Sequence, residues 1–307
     1  MAIAKRIFLF LALNFLVVIM VTFILDLLNV KPFLHSYGID LKSLAIFCFI
    51  WGMGGAFISL LLSRKMAKWM MQVQVIDPNT KDPDLQLLVQ SVAKLCKIAK
   101  IPLPEIGIYR SNEVNAFATG PSQKRSLIAV STGLLNRMRK EEVEGVLGHE
   151  ISHIANGDMV TMTLLQGVVN AFVMFLARVL AYALSGLGKN RSSSSSSEGG
   201  SYVSYMLFVY LFEVVFMILG SLLIAAYSRY REFRADHGGA QLAGKHSMIQ
   251  ALRALQSLQE AKDPNAEKPA LAAFKISHQG KKGILQFFAT HPPLETRIER
   301  LQEDMTI

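Results

Sequence analysis

A set of long uncharged apolar runs constrains this chain more than anything else in it. Residues 7–25 carry no charge over 19 positions, 43–63 none over 21, and 159–177 none over 19. Two more runs, 199–212 and 214–228, are separated only by Glu213. A helix rises about 1.5 Å per residue, so roughly 20 such residues cross the ~30 Å hydrocarbon layer. The 307 residues are 51% hydrophobic and 18% charged, short of the roughly 25% charge that coats a soluble domain. An ordinary soluble protein, a disordered chain and a disulfide miniprotein are therefore excluded. Two cysteines, Cys48 and Cys96, cannot make a disulfide framework and read as reduced, small apolar residues.

The net charge of +9 does not point to nucleic acid, because the basic residues collect beside the apolar runs. Residues 6–28 read as a retained membrane helix rather than a signal peptide: the apolar core is long and no small-x-small site follows it before Asp26. The next spans are expected at 43–63, 159–187 and 202–228, the last two joined by a flexible serine-rich loop over 189–201. Lys5, Arg6, Arg64, Lys65, Lys68, Arg229, Arg231 and Arg234 flank one side of the spans, against Lys31, Lys42, Lys189 and Arg191 on the other. That asymmetry places both termini and both polar segments in the cytoplasm. Arg178 and Glu213 interrupt the last two spans at matching depths, so they are expected to pair within the membrane.

The chain thus divides into a membrane hairpin (1–71), a first polar segment (72–158), a second hairpin (159–228) and a second polar segment (229–307). The two polar segments are expected to fold into one lobe. Helical spacing runs through 84–100, 139–155, 229–243, 246–261 and 294–304, and β-prone stretches lie near 105–109, 113–118 and 126–131.

The strongest local signal is His149-Glu150-Ile151-Ser152-His153. Histidines four apart on a helix share one face, and neutral imidazoles at that spacing can grip one Zn²⁺. A bound Zn²⁺ pulls the pKa of a water toward neutrality, and Glu150 is placed to take its proton, which is the chemistry of peptide hydrolysis. A catalytic zinc needs a third protein ligand and an open fourth position. Cytoplasmic candidates for that ligand are Glu232, Asp236, His237 and His291. Glu232 and Asp236 are four apart and can face one partner helix. The preferred assignment makes Glu232 the ligand and Asp236 the group that orients a histidine through its distal N–H. Against it stands Glu232 merely balancing Arg229, Arg231 and Arg234 on a solvated face.

Gly148-His149-Glu150-Ile151-Ser152-His153, Asn156-Gly157-Asp158, Ser228-Arg229 and Glu232-Phe233-Arg234-Ala235-Asp236 together resemble the HtpX family of membrane zinc proteases, relatives of the CAAX prenyl endopeptidases. The resemblance extends to Glu113 through Gly120, to Thr290-His291-Pro292-Pro293 with Arg297, and to the span layout. It implies His149, His153 and Glu232 as metal ligands, Glu150 as general base and one Zn²⁺ per chain. It also implies an inner-membrane quality-control endopeptidase, active under stress, that cleaves unfolded or misassembled membrane proteins on the cytoplasmic side.

Asn115-Ala116-Phe117 lies on a β-prone segment whose edge can pair with an extended peptide through main-chain hydrogen bonds; the alternative is an ordinary pairing with 126–131. The resemblance favours substrate binding. His291, held extended before two prolines, is a candidate to stabilise the oxyanion or to bind the metal in a resting state, a structural histidine being the alternative. Arg297 reads as an ion-pair anchor for the last helix. The fold expected is a mainly α integral membrane protein: four transmembrane helices plus a cytoplasmic zincin-like α+β metalloprotease lobe with a small sheet. Its partners are membrane-protein substrates and the lipid bilayer, with no nucleic acid. A transporter would leave the cytoplasmic motifs unexplained, and a scaffold or chaperone with a closed zinc site would have no need of Glu150.

Overall fold

A computed structural model of the chain describes residues 34–35, 38–189, 198–260 and 287–304. The expected first span at 6–28, the serines at 192–197 and His278 lie outside the described residues. A small hairpin, β1 (Leu34–His35) and β2 (Gly38–Ile39), precedes α1 (Leu41–Met71), β3 (Gln74–Val75) and α2 (Pro83–Ala99). Then follow β4 (Glu105–Tyr109), β5 (Ala116–Thr119), β6 (Leu127–Ser131), α3 (Thr132–Arg137) and α4 (Lys140–Asn156). The chain continues through α5 (Asp158–Lys189), α6 (Glu198–Ala243), α7 (Lys245–Glu260) and α8 (Leu294–Glu303).

Among the described residues, α1, α5 and α6 are long and apolar enough to cross a membrane. The sequence reading treats 202–228 and 229–243 as separate helices, whereas α6 runs through both without a break. No proline interrupts the stretch from 203 to 243, and helix propagation continues through Ser228 at the change from apolar to charged residues.

One compact unit comprises Met1–Ser59 and Thr163–Ile224. Small residues let its helices touch: a Cβ on Gly52 would lie 2.6 Å from the backbone nitrogen of Ala171, and one on Gly167 would meet the Met53 sulfur at 2.7 Å. Close backbone approach through small residues is how helices pack where lipid supplies no hydrophobic drive. Phe49, Phe57, Phe172, Leu207 and Leu219 point outward and exposed, as a lipid-facing surface requires. Arg178 and Glu213 pair at 2.6 Å, and the same guanidinium bonds the Met174 carbonyl at 3.1 Å and lies 5.7 Å from the Phe47 ring centre.

The other unit comprises Leu60–Met162 and Ala225–Ile307. Its four-stranded sheet has the order β3-β4-β6-β5, with β4 and β6 parallel and the outer pairings antiparallel. The core joins Leu88, Val92 and Leu95 of α2 to Ile128 and Val130 of β6, and to Val146, Leu147 and Ile151 of α4. Met248 and Leu252 of α7 with Ile298 and Leu301 of α8 complete it. Helix α2 is fixed at its start by Asp82, whose carboxylate accepts from the Asp84 N–H at 3.0 Å, and at its end by Lys100 in the left-handed region. Both cysteines are free and buried.

Candidate metal centre

Helix α4 carries the five-residue histidine motif into the core. Glu141 and Glu142 suit the positive end of the helix, and the Glu142 carboxylate accepts the Arg139 N–H at 2.7 Å, satisfying one orphan donor. At the far end Gly157 adopts a φ of 67° and its N–H closes onto the His153 and Ile154 carbonyls. That left-handed turn stops α4 and lets α5 begin at the next residue.

Glycines set how closely the neighbouring helices approach α4. A Cβ on Gly148 would sit 3.0 Å from the Gly239 carbonyl oxygen of α6, and one on Gly145 would meet the Ser247 carbonyl of α7 at 2.5 Å. This crossing brings Glu232 and Asp236, four apart on α6, against the two histidine rings.

The His149 and His153 Nε2 atoms are 3.1 Å apart. His149 Nε2 lies 3.4 Å from Glu232 Oε2, and His153 Nε2 lies 3.4 Å from Glu232 Oε1. All three residues are buried. Ligands held at 2.0–2.1 Å by a tetrahedral ion are separated by about 3.3–3.4 Å, so these atoms have the spacing of one tetrahedral face. Two imidazole lone pairs facing each other at 3.1 Å repel unless a proton or a cation lies between them. The donor set and its spacing therefore fit Zn²⁺.

The far side of each ring meets an acid. His149 Nδ1 is 2.9 Å from Asp236 Oδ1, and Arg297 of α8 grips that carboxylate through Nε at 2.7 Å and Nη2 at 2.5 Å. His153 Nδ1 is 2.7 Å from Asp158 Oδ2, and the other Asp158 oxygen accepts from Arg234. His291 places Nδ1 2.8 Å from Glu232 Oε2.

Burial works against every charge here, and for His149, Glu232 and Asp236 the pairings override it. For His149, desolvation pulls the imidazole down, yet the bonds to Asp236 and Glu232 raise it to about 9. Burial raises Glu232, but His291, His149 and His153 hold it well below the carboxylate range. Asp236 is pushed up by burial and brought below its ordinary value chiefly by Arg297. Glu150 behaves oppositely: burial raises it, the two histidines offset this only in part, and its net shift is upward. The Ala118 main-chain N–H bonds its carboxylate. A raised carboxylate is the better proton acceptor.

Among the described residues, strand β5 lies at one edge of the sheet, paired with β6. The Ser131 N–H donates to the Asn115 carbonyl at 2.9 Å, so by alternation Ala116 and Ala118 turn their main-chain groups to the other side. Asn115, Ala116 and Phe117 are all buried, with Phe117 packed against Tyr109, Leu127 and Ala129, while Ala118 is half-buried. The structure thus brings His149, His153, Glu232, Asp236 and His291 together and leaves Glu150 beside them. It places the Asn115–Phe117 side chains in or against the core rather than on an open surface. His237 pairs with Asp304 at 2.8 Å instead of joining the cluster. Sequence reasoning gave Asp158 and Arg234 no part in the metal site; the available signal was an acid directly after a helix-ending glycine, five residues beyond a histidine.

The family model described as Peptidase family M48 matches residues 79–305. The chain is 47% identical over 300 residues to a protein named Protease HtpX homolog from Methylacidiphilum infernorum, with 97% of this chain and 98% of that one covered. It is 48% identical over 306 residues to a Protease HtpX homolog of Bacillus licheniformis, covering 97% and 99%. A Protease HtpX of Shewanella loihica is 46% identical over 298 residues, covering 97% and 99%. Among solved structures, the crystal structure of S. mikatae Ste24p shares the fold with a TM-score of 0.62 at 18% identity. That match covers 97% of this chain, which spans 64% of the Ste24p chain.

Proposed function

The chain belongs to peptidase family M48, with the HtpX proteases, and is a multi-pass membrane metalloprotease; from that premise we propose a zinc endopeptidase acting on damaged or misassembled membrane proteins at the cytoplasmic face of the inner membrane. The observation that carries the reading is the convergence of His149 Nε2, His153 Nε2 and the Glu232 carboxylate within 4.8 Å of one another. Four spans, with both termini and the lobe cytoplasmic, follow from the apolar runs and the flanking basic residues. The ligand helix ends only two residues before the third apolar run, so cleavage is expected close to the membrane surface.

One Zn²⁺ per chain would be held by His149, His153 and Glu232, with a fourth position open to water and substrate. When bound, the ion supplies Lewis acidity to the attacking water and to the scissile carbonyl. Glu150 takes the proton from that water and hands it to the leaving amine, a role its raised proton affinity suits. Asp236, braced by Arg297, keeps the proton of His149 on Nδ1 and so keeps Nε2 as a lone-pair donor. His291 is assigned to the developing oxyanion. An extended substrate is offered main-chain pairing along the outer edge of β5, through the Ala116 main chain and the Ala118 carbonyl, while the buried side chains of Asn115, Ala116 and Phe117 hold that strand in place.

Glu150→Gln in the full-length protein, assayed for bound zinc and for cleavage of an unfolded membrane protein, tests the reading. Zinc retained with turnover reduced by about 10²–10⁴ is the expected result. Undiminished cleavage would remove Glu150 as the base. A zinc site with no cleavage in either protein would favour a scaffold.

A further inference from the structure

We propose that Asp158 is the positioning residue for His153, itself clamped by Arg234; the proposal rests on the reading of His153 as a metal ligand. The Asp158 side chain is fully buried. Burying a carboxylate is costly unless its lone pairs are engaged. Here one oxygen meets His153 Nδ1 at 2.7 Å and the other accepts from Arg234. Neither partner is an accident of a shared helix face. On one continuous helix, residues five apart differ by about 140° around the axis, so α4 alone would turn Asp158 away from His153. The left-handed Gly157, at φ 67°, ends α4 and breaks that relation, and Asp158, the first residue of α5, meets the ring.

The chemistry of the contact defines the role. A neutral imidazole carries one proton, and the nitrogen that donates a hydrogen bond decides which nitrogen is left with a lone pair. Donation from Nδ1 to Asp158 leaves the His153 Nε2 lone pair directed at His149 Nε2, 3.1 Å away, and at Glu232, 3.4 Å away. Arg234 holds Asp158 in that orientation and balances its charge. The two ligand histidines therefore have separate carboxylate–guanidinium braces. His149 uses Asp236 of α6 and Arg297 of α8, whereas His153 uses Asp158 of α5 and Arg234 of α6. Removing such a partner typically weakens metal binding by about 10–100-fold.

The test uses the full-length protein in detergent, stripped with a chelator and titrated with Zn²⁺ against a chromogenic competitor. Co²⁺ is substituted in parallel because its visible bands report ligand geometry. Asp158→Asn should bind Zn²⁺ about 10–100-fold more weakly with altered Co²⁺ bands. Asp158→Glu should recover part of the affinity. Arg234→Gln should lose less, because His153 keeps its acceptor. The double variant should be no weaker than Asp158→Asn alone, since the two residues act in series. Wild-type affinity and unchanged bands in Asp158→Asn would overturn the proposal. Should Asp158→Asn fail to fold, Arg234→Gln decides instead, and wild-type affinity there overturns the clamp. His153→Ala separates the two levels of the argument. If it binds Zn²⁺ as tightly as wild type, the ligand reading falls and this proposal with it; if it loses Zn²⁺ while Asp158→Asn does not, the positioning role alone falls.

Discussion

Gly239→Ala tests the helix crossing that assembles the metal centre. A Cβ at residue 239 would lie 2.9 Å from the backbone nitrogen of His149, 3.1 Å from its Cα and 3.0 Å from the Met248 sulfur. The Met248 thioether is flexible and can swing aside. The His149 backbone cannot, because it is inside a buried helix. Reaching ordinary contact at 3.4 Å requires α6 and α4 to separate by about 0.5 Å. Glu232 and Asp236 precede residue 239 by seven and three positions on α6, so all three lie on one side of it. Any retreat of α6 carries both carboxylates away from the rings. Metal–ligand distances tolerate roughly 0.2 Å, so a displacement of about 0.5 Å at one of three ligands falls outside that range. The expected outcome is about 1–3 kcal/mol of lost stability from overpacking, together with at least about tenfold weaker Zn²⁺ binding. Chelator competition and thermal unfolding in detergent measure both. Gly55→Ala is the control: the same atom is added to a helix, and its Cβ meets nothing within 4 Å, so no loss is expected. A Gly239→Ala protein that melts and binds zinc like wild type would refute the reasoning about the crossing.

Arg297→Gln should destabilise the protein by about 3–5 kcal/mol in chemical unfolding, because it leaves the buried Asp236 carboxylate without its counter-charge; a loss below about 1 kcal/mol would contradict that. Ala118→Pro removes the main-chain donor to Glu150 without touching the β5–β6 ladder, since Ala118 faces away from β6; proteolysis should fall while bound zinc stays at the wild-type level. Burial pushes the Cys96 thiol up to about 11, so alkylation at pH 8 should wait on unfolding. The sign follows from linkage: between pH 9 and 11 the unfolded thiol ionises while the folded one does not, so high pH draws the chain toward the reactive unfolded form. Arg178→Gln or Glu213→Gln leaves a lone charge in an apolar helix pair and should lower the yield of folded protein, and the charge-swapped double variant should recover it; a swap no better than either single would argue against the pair.

Much of the fold was legible because its signals are local. Apolar runs gave α1, α5 and α6, and the spacing of Leu88, Val92 and Leu95 gave α2. The short strands at 105–109 and 127–131 were visible as β-branched stretches between turn residues. The break expected at residue 229 is absent because a change of polarity is not a change of helix propensity, and α6 carries its hydrogen bonding straight across it. The second strand begins at Ala116 rather than 113 because the Ser111 hydroxyl accepts the Glu113 N–H at 3.2 Å and holds a turn there. The sequence left the face occupied by the Phe117 side chain open, because a hydrophobic residue on an edge strand carries no mark of which face it occupies. Its burial depends on Ala67, Tyr109 and Leu127, which no spacing rule connects to it.

The metal centre divides along the same line. His149, Glu150 and His153 could be placed from spacing alone because one helical turn fixes their relation. Glu232 could not, because 78 residues separate it from His153. Closing a flexible loop of that length costs about 4 kcal/mol plus a constant, so spacing alone gives no reason for those two residues to meet. Part of what offsets that cost is the direct contact between Asp158 and Arg234, which ties the first residue of α5 to α6 close to Glu232. The Asp158–Arg234 bond therefore joins two segments far apart in the sequence, and the same carboxylate holds the ring of the second ligand. Helix pairing and ligand orientation are coupled through one carboxylate. A chain in which Asp158 and Arg234 have not met therefore lacks the brace on its second ligand.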